Sequence, residues 1–265
     1  MRELLFSAVT DRGDARPRNE DSIFAKAAER RGHQIGLFAV ADGCGGLDSG
    51  EEISSLITLR AAALIEKLIS VEEIADNEAC HAALDRLIDL ELRGLNRELL
   101  NYFSNKGQRA GSTLSLLFII DDKYIVKNIG DSRVYLSRKR LLELLTEDQS
   151  LTRGSADRST SERPAYSNVL TMCLGVFDEI EISTYRGQFR VDDRFLICSV
   201  GLYKMLEEKH MSELLAQSRD NITGAADILR RGIPTGTASD NVSVIVCGYK
   251  RENLLKELKA RLRRE

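Results

Sequence analysis

Residues 35–41 (Ile35-Gly36-Leu37-Phe38-Ala39-Val40-Ala41) form an unbroken apolar run that stops at Asp42-Gly43. A run this short, closed by a turn dipeptide, predicts a buried strand. The spacing then changes. Ile53, Leu56, Ile57, Ala61, Leu64, Ile65 and Leu68 recur at the 3.6-residue period and predict a helix over 51–69, with a second helical region over about 72–104 that carries mixed charges on one face. Residues 112–120 and 123–137 are rich in Ile, Val, Leu and Tyr, and Asp121-Asp122 between them reads as a hairpin turn. A short strand is expected at 141–145. Buried strands are expected at 194–199 and 241–249, with a helical region around 207–231 between them.

From about 148 to 168 the chain turns polar and reads as a surface flap. Residues 251–265 read as a basic amphipathic C-terminal helix, leaving 1–250 as the main domain. Strands and helices come in clusters rather than in strict alternation. That favours an α+β layered fold over a parallel doubly wound sheet.

Composition narrows the function. The 265 residues are 43% hydrophobic, enough for a sizeable core, and the formal net charge is −3. That balance gives no electrostatic case for a nucleic-acid or anionic-membrane partner. No apolar run reaches the roughly 18 residues that span a bilayer, and the start turns polar too soon for a signal peptide. Cys44, Cys80, Cys173, Cys198 and Cys247 are scattered, odd in number and without a CxxC pair, so reduced thiols in a cytoplasmic protein are expected. Asn221-Ile222-Thr223 and Asn241-Val242-Ser243 then match the glycosylation pattern only by chance.

The candidate chemistry is acidic. Asp21 follows Arg16-Pro17-Arg18-Asn19-Glu20, Asp42 ends an apolar run, Asp131 sits in Ile129-Gly130-Asp131-Ser132-Arg133, and Asp240 precedes Asn241-Val242-Ser243. Aspartates at strand ends can converge at one sheet edge, and hard cations such as Mg²⁺ and Mn²⁺ want such oxygen ligands. The glycines of Gly43-Cys44-Gly45-Gly46 do not make a nucleotide loop, because no Walker lysine follows them.

In their order, these segments resemble the metal-dependent type 2C (PPM) protein serine/threonine phosphatases of bacterial type. Besides those motifs, Gly50-Glu51, Gly111-Ser112-Thr113, Asn128-Ile129-Gly130-Asp131-Ser132-Arg133, Asn168-Val169-Leu170-Thr171 with Leu174-Gly175, and Asp240-Asn241 all stand where the family has its own. The resemblance implies a four-layer α-β-β-α sandwich of two antiparallel sheets flanked by helices. It also implies two Mn²⁺ or Mg²⁺ ions, with a third, weaker position, that ready a water for attack on phosphorus. By this resemblance Asp42 bridges the ions, the Gly43 carbonyl and Asp240 add ligands, and Glu20 and Asp21 act directly or through waters. Asp131 belongs to the third position, and Arg16 holds the phosphate. Phosphorylated proteins, the substrates of a serine/threonine kinase, are the implied partners.

The sequence departs from the family at one metal ligand. Its Ser-Asp-Gly-Leu segment reads Ser199-Val200-Gly201-Leu202, and valine has no donor atom. Three readings stay open: a phosphatase with a weakened site, a pseudophosphatase that binds phosphoproteins or partners without hydrolysis, or a substitution made in an active enzyme. His33, His81 and His210 all lie outside the motifs, so no histidine general acid is available and the leaving oxygen takes its proton from water. Cys44 reads as a packed bystander.

Overall fold

The computed structural model describes residues 3–44, 49–70, 78–151 and 169–250. The expected C-terminal helix (251–265), the flap over 152–168, and Gly45, Gly46 and Asn168 lie outside them.

Ten strands form two five-stranded antiparallel sheets. The first runs β1 (Leu4–Asp11), β10 (Val242–Tyr249), β9 (Arg194–Cys198), β6 (Arg133–Arg138), β7 (Leu141–Leu144). The second runs β2 (Asp21–Arg30), β3 (His33–Asp42), β4 (Leu114–Ile120), β5 (Lys123–Ile129), β8 (Ser183–Gln188). Helices α1 (Gly50–Ser70) and α2 (Glu78–Asn105) cover the second sheet, and α3 (Val200–Tyr203), α4 (Glu208–Gln217) and α5 (Ala225–Gly232) cover the first.

The period-2 geometry of a strand explains the unbroken apolar run of β3. Ile35, Leu37, Ala39 and Ala41 face α1 and α2, while Phe38 and Val40 face the other sheet and meet Phe195, Ile197 and Ile245. A strand buried on both faces needs no polar alternation. Three apolar layers thus separate four layers of structure, the α-β-β-α sandwich that the resemblance implies.

The Asp121-Asp122 turn holds: Ile120 pairs with Lys123, and Asp121 takes a left-handed φ of 47°. The expected single strand over 123–137 is instead two. The chain breaks at Gly130 (φ 96°), and β5 and β6 join different sheets. This crossing puts Asp131 at the edge of the sandwich. Strands β1, β2 and β8 have no clean apolar signature and went unpredicted. β2 is half-buried along most of its length, and β8 is an edge strand. The polar stretch after residue 147 begins under cover: Gln149 and Ser150 are buried, and the Gln149 side chain accepts the Gly130 N–H at 2.7 Å.

Candidate active site

Antiparallel register sets the first pair. Asp21 opens β2 directly opposite Asp42, which closes β3. The ends of β9 and β10 meet at the same edge, bringing Ser199-Val200 and Asp240-Asn241 to the two carboxylates.

Asp42 is tied at its backbone. Its N–H donates to Thr113 Oγ1 at 3.1 Å, and its carbonyl accepts from Thr113 N (2.9 Å) and Ser112 Oγ (3.0 Å). Thr113 Oγ1 is bonded in turn to Ser132 Oγ at 2.7 Å, a link between β4 and the Asp131 turn. Gly43 is needed where it stands. A Cβ there would lie 2.4 Å from the Gly50 carbonyl oxygen and 2.7 Å from that of Glu20.

Asn241 pins the first motif. Its side-chain amide donates to the carbonyls of Arg12 (2.7 Å) and Arg18 (2.9 Å), and its Oδ1 accepts the Glu20 N–H at 2.9 Å. Gly201 lets this loop pack closely, since a Cβ there would stand 2.0 Å from the Asn241 carbonyl oxygen.

The electrostatics follow from burial. Desolvation pushes Asp42 well above the ordinary carboxylate range, and Asp21, Asp131 and Asp240 add to it, opposed by the Val200 backbone N–H. Asp21 is raised to about 6, mainly by burial and further by Asp240, while Ser199, Ser243 and contact with Asp42 oppose the rise. Ser199 Oγ donates to Asp21 Oδ2 at 2.7 Å and accepts the Ser243 N–H at 3.0 Å. Asp21 Oδ1 is buried without a donor. Asp131 also rises to about 6, through burial and the charge of Asp148, offset by Lys204 and Arg133.

Arg16 stands across the site with its fork on Asp240: Nε to Oδ1 at 2.9 Å and Nη2 to Oδ2 at 3.0 Å. Glu20 and Asp42 also stabilise its charge. Val200 is buried, and its backbone N–H bonds the Asp42 carboxyl.

The structure therefore gathers Arg16, Glu20, Asp21, Asp42, Gly43, Asp131, Val200 and Asp240 at one edge. Residues that motif reading passed over are Ser199 as the partner of Asp21 and Thr113 as the anchor of Asp42. So are Arg133 and Tyr203 beside Asp131: Arg133 forks onto Asp148 (2.9 and 2.7 Å) with its guanidinium 3.7 Å from the Tyr203 ring centroid, and Tyr203 Oη donates to the Asp131 carbonyl at 3.0 Å. Thr113, Arg133 and Ser199 stand inside the motifs without a role that the motifs assign, and Tyr203 directly follows one. Cys44 is half-buried against Cys173, and its hydrogen bond with that thiol, then burial, raises its pKa, as befits a packed bystander.

Among the described residues no group of three or more Asp, Glu, His or Cys side chains is arranged to hold a metal ion. The donors do suit a hard cation that keeps much of its water. Such an ion is bound through one or two carboxylates, and a buried carboxylate oxygen without a donor needs a positive partner. Asp21, with its bare buried Oδ1 directly opposite Asp42, meets that description.

The protein phosphatase 2C family profile matches residues 15–229. The chain is 29% identical over 247 residues to the serine/threonine phosphatase stp of Listeria monocytogenes, covering 89% of this chain and 92% of that one. It is 26% identical over 257 residues to the protein phosphatase PhpP of Streptococcus pneumoniae, covering 93% and 98%. Among solved structures, the catalytic domain of the serine/threonine protein phosphatase PstP in complex with two manganese ions superposes with a TM-score of 0.75 at 27% identity, over 95% of this chain and all of that one.

Proposed function

Because this chain belongs to the protein phosphatase 2C family, we propose that it hydrolyses phosphoserine and phosphothreonine in proteins at a divalent-ion centre built on Asp42, with activity weakened by Val200. The observation that carries this reading is the convergence of Asp21, Asp131 and Asp240, from remote segments, on the buried Asp42 carboxyl. Three carboxylates that raise the pKa of a fourth, buried one cost stability, and a functional site is the usual reason.

Mn²⁺ or Mg²⁺ supplies the chemistry that these side chains lack: it lowers the pKa of water and neutralises charge on the phosphoryl oxygens. Asp42, the Gly43 carbonyl, Asp21 and Glu20 would hold one ion, Asp240 would contribute to a second, and Asp131 would belong to a third, weaker position. Arg16 would meet the phosphate, since its planar fork fits two phosphoryl oxygens. For that it must leave Asp240. Asn241 and Thr113 act as positioning residues through the loops that they hold. Phosphorylated proteins are the partners in this reading. A cytoplasmic place agrees with five free cysteines and with the lack of any described helix long and apolar enough to cross a membrane.

One observation favours a second reading, a pseudophosphatase that binds phosphoproteins without hydrolysis. The side chain at 200 cannot bind a cation, and Arg16 already occupies Asp240. Hydrolysis of p-nitrophenyl phosphate at millimolar Mn²⁺ separates the two. The enzyme reading expects turnover that Asp42→Ala abolishes and Val200→Asp raises at least about 10-fold, the scale of a lost metal-site partner. Turnover in neither the parent nor Val200→Asp, with folding intact, supports the binding role. Turnover that survives Asp42→Ala refutes the centre.

A further inference from the structure

The two sides of the acidic cluster differ in what their oxygens already hold. On the Asp240 side both oxygens are taken. Oδ1 accepts from Arg16 Nε at 2.9 Å and from the Asn241 N–H at 2.9 Å, and Oδ2 accepts from Arg16 Nη2 at 3.0 Å. By the family resemblance the residue that would complete that side is Val200, which is 8% exposed and whose side chain has no donor atom. On the Asp42 side one oxygen is left over: Ser199 Oγ holds Asp21 Oδ2 and the Val200 N–H bonds Asp42, but Asp21 Oδ1 holds nothing. Asp21 is 7% exposed, and its Oδ1 lies buried with no donor, opposite an Asp42 carboxyl for which no salt bridge to a described side chain is formed.

We propose that this chain holds a single divalent ion, on the Asp42 side, and that the Arg16 guanidinium takes the place of a second ion at Asp240. The inference rests on the reading of Asp42 as the metal centre and makes it specific. Occupied acceptors are the physical reason: the Arg16 fork and the Asn241 N–H already hold both oxygens of Asp240, and the Val200 side chain adds no donor atom. A bidentate fork is also the arrangement in which arginine binds a carboxylate best. A second Mn²⁺ would have to displace that fork and the Asn241 N–H while gaining one carboxylate rather than two. The single ion, by contrast, needs few protein ligands, because Mg²⁺ and Mn²⁺ retain water when one or two carboxylates bind them. Arg16 is thereby both a substitute cation and a latch. It cannot grip a phosphoryl group while it grips Asp240, so an anion that binds at the centre must compete for it.

The test is a metal count on the intact chain, by equilibrium dialysis against Mn²⁺ with elemental analysis, and by titration calorimetry. The parent chain is expected to bind one Mn²⁺, Asp42→Ala none, and Val200→Asp combined with Arg16→Gln two. Inorganic phosphate should bind the Mn²⁺-loaded parent at least about 10-fold more weakly than it binds the Mn²⁺-loaded Val200→Asp chain, in which a second ion frees the fork. Two ions in the parent with affinities within tenfold of each other overturn the single-ion assignment and leave the Asp42 centre standing. One ion in the double variant overturns the role given to Arg16 and Val200. No ion in the parent at millimolar Mn²⁺, or one retained by Asp42→Ala, overturns the underlying centre itself. The parent count needs no variant to fold.

Discussion

Asp131→Asn should stabilise the metal-free protein at neutral pH, and the gain should vanish in acid. Asp131 follows the left-handed Gly130 where β5 hands over to β6, and its carboxyl is desolvated beside Asp148. Its pKa therefore rises from 3.8 to about 6, with Lys204 and Arg133 offsetting part of the effect. A raised carboxyl pKa means that the folded state binds the proton more tightly than the unfolded one. Stability is then lost as pH climbs from about 4 through about 6. The difference between about 6 and 3.8 corresponds to about 3 kcal/mol at pH 8. The neutral amide keeps shape but still pays for burial, so a gain of about 1–3 kcal/mol is expected. For a chain of this size that is a rise in melting temperature of roughly 2–10 °C. Thermal and urea unfolding of EDTA-treated protein at pH 8 and pH 4 measures it. A variant less stable than the parent at pH 8, or a gain undiminished at pH 4, would refute the account of Asp131 as a carboxylate held at a cost.

Two further perturbations probe the scaffold. Lys127 lies fully buried on the helix-facing side of β5, with its Nζ 2.6 Å from both Asp85 Oδ1 and Asp89 Oδ1 and donating to Thr184 Oγ1 at 3.0 Å. Lys127→Met should destabilise the fold by roughly 2–4 kcal/mol, somewhat below a fully buried pair because Asp89 reaches solvent; Lys127→Met combined with Asp85→Asn and Asp89→Asn should recover much of the loss in urea titration. Gly201→Ala puts a methyl against the Asn241 carbonyl, so the Asp240 loop must shift. We expect a loss of about 1–3 kcal/mol and weaker Mn²⁺ binding by calorimetry, whereas Gly94→Ala on α2, whose Cβ meets nothing within 4 Å, should leave Mn²⁺ binding unchanged.

Local patterning alone determined a good part of this protein. The apolar run ending at Asp42, the helical stripe of Ile53 to Leu68 and the Asp121-Asp122 hairpin each encode their element within a few residues, because both faces of β3 and one face of α1 are buried. The candidate ligands were likewise legible, since an Asp directly after a strand is a local feature. Tertiary structure decided the rest. The break at Gly130 sends β5 and β6 to different sheets, a choice made by packing across the sandwich rather than by propensity. Strand β2 is half-buried along most of its length and is held by its hairpin pairing with the buried β3, without an apolar signature of its own. That Arg16 lies on Asp240, 224 residues away, and that Asp21 Oδ1 stays bare beside Asp42, depend on where chain ends meet in space. Motifs name the charges that reach the edge of the sandwich; only the packed fold, through distance and desolvation, determines which of them neutralise one another.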